Sequence, residues 1–198
     1  MDIDIFFSGF ECECCGECCS GSMKVFLNPE DLLRMARAEG LGNTIELIEG
    51  GLVVIDRERG GVPLPRIRFR ESAVKCCPFV ENRMDDDGRL SGLCSLHPDR
   101  KPLVCWLAPL YREVDLSAAG GESEGWGFKL PHPGCPGGGA ESTGLCGCRD
   151  GFFDAETRRR LDAETVFFRE LSQFLDTGAE EGDIIDRFYR LDTGIRRG

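Results

Sequence analysis

Histidine is almost missing from this sequence: among 198 residues only His97 and His132 are of that type. The scarcity works against zinc frameworks that pair cysteines with several imidazoles, and it leaves a cysteine nucleophile short of a positioned base. Positive charge is the minority sign, with 24 lysines and arginines against 35 acids and a formal net charge of −11. A field of that sign does not coat nucleic acid, which requires clustered positive charge. No apolar run is long enough to cross a bilayer. No glycine-rich phosphate loop with its lysine is present. The opening MDIDIFFSGF carries acids where a secretory signal has a basic segment, and its apolar run is short for a signal core. Cytoplasmic placement is therefore expected, with neither a membrane nor a nucleic acid as partner; a protein partner or substrate stays open.

What the chain has in quantity is cysteine, 12 residues in all. Cytosolic thiols are kept reduced, so clustered cysteines there read as metal ligands before they read as disulfides. The stretch from Phe10 to Gly21, FECECCGECCSG, places five cysteines within eight residues. Inside it Cys12, Cys15 and Cys18 form C-x2-C-x2-C around Gly16. A chain that turns three thiolates toward one centre has to curl, and glycine permits the curl. The same spacing opens the run that holds a four-iron cluster in bacterial ferredoxins, where the remote ligand is followed by proline. Cys77-Pro78 and Cys135-Pro136 both have that form. Zinc fits nearly as well, because four thiolates around a tetrahedral ion also start from closely spaced cysteines.

Adjacent side chains in an extended stretch diverge. Cys18-Cys19, Cys14-Cys15 and Cys76-Cys77 are therefore expected to serve two centres, or one centre plus a buried thiol. Cys146 and Cys148 read as unligated thiols, with a redox pair as the alternative. No cysteine is expected at the start of a helix, where a reactive thiolate would be favoured. Of the two histidines His97 is the better ligand candidate, since it lies between Cys94 and Cys105, but neither is expected to bind directly.

Local signals place these residues on elements. Asn28-Pro29-Glu30-Asp31 combines an N-cap, an N1 proline and first-turn acids, predicting a helix that ends at Gly40. Residues 22–27 read as a short strand. LVVIDRER and PLPRIRFRE, separated by Gly60-Gly61, read as a strand pair. Arg66, Arg68 and Arg70 alternate with apolar residues and predict a half-buried strand with one solvated basic face; an anion site is the alternative. Asp87-Gly88 predicts a hairpin turn that brings Cys77 and Cys94 near each other. Gly120–Gly125 reads as a polar loop, Trp126–Leu130 as a strand, and His132–Gly139 as irregular. Residues 154–176 give the longest helical pattern, with Leu161, Phe168, Leu171 and Leu175 on one face. Phe167, Phe168 and Phe174 are expected in the core, a partner-binding stripe being the alternative. Arg158-Arg159-Arg160 is expected on a solvated face that would attract a local acidic partner. Asp183–Leu191 reads as a further short helix.

These residues together resemble the YkgJ-type cysteine-cluster proteins, the CxxCxxCC zinc- or iron-chelating family. Phe10, Cys12, Cys15, Gly16, Cys18 and Cys19 fall on its opening element. Cys77-Pro78-Phe79 falls on the second. Cys94-Ser95-Leu96-His97 with Lys101-Pro102 and Cys105 falls on the third, followed by Pro109, and Cys135-Pro136-Gly137 on the last. The resemblance covers roughly residues 10–139. It implies eight cysteine ligands, Cys12, Cys15, Cys18, Cys19, Cys77, Cys94, Cys105 and Cys135, a number that suits two four-ligand centres. Trp106 departs from the pattern, standing where the family usually has arginine. Cys14, Cys76, Cys146 and Cys148 are additional.

The expected fold is α+β: a small irregular metal-stapled domain with short β-hairpins over residues 1–149, followed by a helical C-terminal extension, 150–198, packed on it. The expected cofactor is an iron–sulfur cluster, [4Fe–4S] in type, or zinc, with two centres open. The expected function is metal binding. A cluster-dependent protein-modifying enzyme similar to the flagellin lysine methylases is one alternative, and a structural zinc module supporting an interaction surface is another.

Overall fold

The computed structural model describes residues 16, 19–20, 23–71, 75–84, 86–88, 90–97, 99–108, 110–114, 124–128 and 153–195. Helix α1, Pro29–Ala38, begins where its caps require. The Asn28 side chain accepts the Asp31 N–H at 2.9 Å, and the Asp31 carboxylate accepts the Asn28 N–H at 3.3 Å, a reciprocal arrangement that satisfies two otherwise orphaned donors. Leu32, Met35 and Ala36, at helical spacing, are fully buried. The helix stops before Gly40, whose φ of +67° is open to glycine at little cost. A short helix α2, Ile45–Glu49, follows.

Strands β1, Val53–Asp56, and β2, Leu64–Ile67, form an antiparallel pair with Val53 opposite Ile67. Residues 25–27 run along the other edge of β2, with the Leu27 N–H on the Pro65 carbonyl at 2.9 Å and the Ile67 N–H on the Val25 carbonyl at 3.0 Å. The strand expected over 22–27 is thus reduced to a single bridge, Phe26 opposite Arg66. Pro65 has no N–H to return to Leu27, which ends the ladder on that side, and at the other end both backbone groups of Arg70 are taken by Cys76. The basic strip is likewise shorter than its alternation predicts. Ile67 is buried and Arg68 and Arg70 are exposed, but half-buried Arg66 is tied to Asp56 as an ion pair.

The hairpin of β3, Val80–Met84, and β4, Leu90–Cys94, is antiparallel, with Val80 opposite Cys94 at its open end. Helix α3, Leu103–Leu107, leads into β5, Leu110–Val114, which pairs with β6, Glu124–Phe128. That last strand begins two residues before the expected one, so Glu124 and Gly125 belong to strand. The irregular stretch expected at His132–Gly139 lies outside the described residues. The outcome is a mixed α+β pattern of two-stranded antiparallel hairpins and C-terminal helices.

Helix α4, Ala155–Leu175, starts with the Asp154 side chain accepting the Thr157 N–H at 2.6 Å. Its buried face is turned from the expected one: Leu171 is fully buried, Leu161, Phe168 and Leu175 are half-buried, and Thr157, Arg160 and Phe167 are buried. Phe167 packs against Phe168, Phe188 and Tyr189 with ring centroids 4.9, 5.8 and 6.2 Å apart. Phe168 and Phe174 also pack on the core. Helix α5, Glu181–Ile184, runs into a π-helical turn, Ile185–Tyr189. Fully buried Tyr189 donates its hydroxyl to the Pro63 carbonyl at 2.8 Å, and burial pushes that phenol's pKa up. One core cluster joins α1, β1, β2, the Cys77–Val80 segment, α4 and the C-terminal turn. Among the described residues no helix is long and apolar enough to cross a membrane.

Candidate metal centre

The β3–β4 hairpin sets the position of two cysteines. Cys94 ends β4 opposite Val80, and Val80 donates its N–H to the Cys77 carbonyl at 3.2 Å. A second bond, from the Ser95 N–H to the Phe79 carbonyl at 2.8 Å, closes this end of the hairpin. Cys77 and Cys94 therefore lie at one end of one hairpin, the proximity predicted from the Asp87-Gly88 turn.

The opening cysteine element is fixed to the same place by its backbone. The Cys77 N–H donates to the Cys19 carbonyl at 2.7 Å, and Ser20 bridges Cys76, which in turn bridges Arg70. Neighbours Cys76 and Cys77 are half-buried and buried, respectively, so the adjacent thiols do meet different surroundings. Upstream, the Cys19 N–H donates to the Gly16 carbonyl at 2.9 Å, closing a turn inside the motif. Gly16 has φ +77°, and a Cβ added at Gly92 of β4 would lie 2.5 Å from the Gly16 Cα. Two backbones touch here, and only glycine allows both the conformation and the approach. Gly92 was not singled out from sequence. A glycine inside a strand two residues before a cysteine was the available signal.

Cys105 arrives on a different element. It is half-buried in α3, a single helical turn that the sequence pattern did not predict. Polar bonds hold that turn. Asp31 Oδ1 accepts the Leu103 N–H at 2.8 Å, Arg160 donates Nη2 to Asp31 Oδ1 at 3.1 Å and to the Lys101 carbonyl at 2.8 Å, and the Trp106 indole N–H donates to Thr157 Oγ1 at 3.0 Å. The strand that follows is held to α4 as well, Arg112 donating to the Leu161 carbonyl at 3.2 Å and to Thr165 Oγ1 at 2.6 Å.

Arg160 corrects an expectation: Arg158 and Arg159 are exposed, but Arg160 is buried. The cause is Asp31, whose carboxylate is enclosed by the core and requires a counter-charge. Burial pushes the Asp31 carboxyl up to about 6, against the opposing pull of the Leu103 N–H and Arg160.

His97 is exposed in the turn after β4, its N–H on the Cys94 carbonyl at 3.0 Å. Cys12, Cys15, Cys18 and Cys135 lie outside the described residues, as do Cys14, Cys146, Cys148 and His132. No disulfide joins any two of the described cysteines. Also among the described residues, no three cysteine, histidine or carboxylate side chains form a group that could hold a metal ion. Cys19, Cys77 and Cys94 thus sit on directly hydrogen-bonded or paired segments, Cys105 on a separate one, and together they are no complete coordination shell. As donors they fit zinc or iron, since thiolates are the soft ligands these sites use.

A family model spanning residues 11–135, more than half of the chain, matches this sequence. The chain belongs to the CxxCxxCC family. That family is described as "putative zinc- or iron-chelating domain", which agrees with the donor set and supports metal binding. No curated protein and no solved structure matches the chain. Gly16, Cys19, Cys77, Gly92, Cys94 and Cys105 all fall inside the CxxCxxCC span, whereas α4 lies beyond it. Of the residues that fasten the Cys105 turn, Thr157 and Arg160 therefore come from outside the family-matched segment, while Asp31 lies within it.

Proposed function

We propose that the protein holds an iron–sulfur cluster through its clustered cysteines, with Cys12, Cys15 and Cys18 as one curled ligand set. Cys19, Cys77, Cys94, Cys105 and Cys135 complete the thiols, enough for two centres. The observation that carries this reading is the double attachment of the opening motif, Gly16 against Gly92 and Cys19 bonded to Cys77. It brings the first cysteine element to the hairpin that bears the next two. The C-x2-C-x2-C spacing, the remote Cys-Pro pairs and the shortage of histidine favour iron–sulfur over zinc. Bound there, a cluster supplies one-electron redox chemistry; the chain's own part is to gather the thiolates and partly exclude water around Cys77, which is 7% exposed.

The reading in which a structural metal supports an aromatic docking stripe on the C-terminal helices is weaker, because Phe167 is buried and Phe168 and Phe174 pack on the core. The test is metal content per folded chain in single serine variants. Cys15→Ser and Cys77→Ser each lower it and Cys146→Ser does not; equal loss in all three overturns the ligand assignment.

A further inference from the structure

Four guanidinium groups from three separate parts of the chain meet at one open cleft of about 700 Å3. Arg34 and Arg37 come from α1, Arg100 from the segment between β4 and α3, and Arg159 from α4. Such a gathering is notable in a chain whose net charge is −11, and like charges this close repel unless they are offset. Carboxylates offset part of it. Glu30 accepts Arg34 Nε at 3.0 Å and Arg159 Nη1 at 3.1 Å, and Glu156 accepts Arg159 Nε at 2.9 Å and also pairs with Arg34. Burial raises the Glu30 carboxyl, but Arg159 and Arg34 together outweigh it and hold it below its ordinary value; Arg159 holds Glu156 down to about 2.

Two arginines are left over. Arg37 spends only Nε, on the Thr193 carbonyl at 3.2 Å, and its outer nitrogens have no partner among the described residues. The Arg100 guanidinium has none among them either. Half-buried Leu33 supplies the cleft's apolar lining. A space of this size is in the usual range for a ligand or a few peptide residues.

We propose that this cleft docks an acidic peptide segment of a partner protein, a carboxylate side chain on Arg37 and Arg100 and an apolar neighbour on Leu33. Charge selects that class of ligand. Four arginines face Glu30, Asp99 and Glu156, a surplus of one positive charge. One carboxylate matches that surplus, whereas a phosphate dianion or a run of nucleic-acid phosphates exceeds it. Guanidinium forks suit carboxylate geometry, as Glu30 already demonstrates in the cleft. Asp99 and Arg100 belong to the segment joining Cys94 to Cys105, so a docked partner rests beside the cysteine-bearing chain. The inference does not depend on which metal those cysteines hold.

The test is fluorescence anisotropy of an uncharged-dye-labelled, C-terminally amidated hexapeptide with one glutamate beside one leucine among serines, titrated with the metal-loaded full chain. Saturable binding is expected, and Arg37→Ala and Arg100→Ala should each weaken it by about two- to five-fold, the size of an exposed ion pair. The double variant weakens it further, and Arg169→Ala, an exposed position outside the cleft, leaves it unchanged. Absence of saturable binding, unchanged affinity in the double variant, or displacement of the peptide by inorganic phosphate at lower concentration than by free glutamate peptide would each overturn the proposal. Metal content measured on the same samples separates this outcome from failure of the metal assignment.

Discussion

Replacing Arg160 with methionine removes the counter-charge of a carboxylate that has almost no access to water. Asp31 is 1% exposed and Arg160 5%. Methionine keeps much of the apolar stem, so the loss falls on the Asp31 contact at 3.1 Å and the Lys101 bond at 2.8 Å rather than on a cavity. Deleting one partner of a buried pair costs about 3–5 kcal/mol. In a chain of this length each kcal/mol moves the thermal midpoint by about 2–4 °C, so a fall of about 6–20 °C is expected near pH 8.

The pH dependence has a definite sign. Burial holds the Asp31 carboxyl at about 6, above an unfolded value of about 4. Across that window the native state binds the proton more tightly than the unfolded state, so this group's contribution to stability rises as pH falls from about 6 to about 4. Arg160 favours the charged carboxylate, and Glu164 opposes it. Without Arg160 the native pKa climbs further and the window opens at higher pH. The deficit of the variant is therefore largest near about pH 8 and narrows toward about pH 5. Thermal unfolding followed by circular dichroism at both pH values measures it. A shift below about 2 °C would show Arg160 to be solvated like Arg158, and an equal deficit at the two pH values would show that it does not act through the Asp31 charge; either refutes the reasoning.

Other outcomes follow from single contacts. Gly92→Ala places a Cβ 2.5 Å from the Gly16 backbone, which forces the motif off the hairpin; about 1–3 kcal/mol of stability and much of the bound metal should be lost. Gly182→Ala, with nothing within 4 Å, leaves metal content at the native level, and elemental analysis of both variants is the check. Tyr189→Phe strands the Pro63 carbonyl that its hydroxyl serves at 2.8 Å; a cost of about 1–3 kcal/mol is expected in thermal unfolding.

The parts of the fold legible in the sequence are those whose causes are local. Asn28, Pro29 and Asp31 announce α1 because a cap is made within four residues, and α4 is announced by its helical periodicity rather than by its Asp154 cap. Asp87-Gly88 announces the β3–β4 hairpin because Gly88, with φ +76°, supplies the turn. Long-range causes are invisible at that level. Arg160 is buried because Asp31, 129 positions earlier, needs a counter-charge, and that contact also turns the buried face of α4 away from its leucine pattern. Arg70 gives its backbone bonds to Cys76, which cuts short a strand pairing that reads as continuous from residue 22. Helix α3, five residues long, is too brief for a periodic signal, so Cys105 is unexpectedly helical. At the candidate site the spacing of Cys12, Cys15 and Cys18 and the role of Gly16 in the curl are readable from the motif alone, but its seat on Gly92 is a tertiary contact that no spacing encodes.

The most direct test is the absorption spectrum and elemental composition of the full chain purified without oxygen. Iron with acid-labile sulfide and a broad thiolate-to-iron band near roughly 400 nm are expected. Stoichiometric zinc in a colourless sample would contradict the cluster, and a natively folded chain carrying neither metal would contradict metal binding by these cysteines altogether.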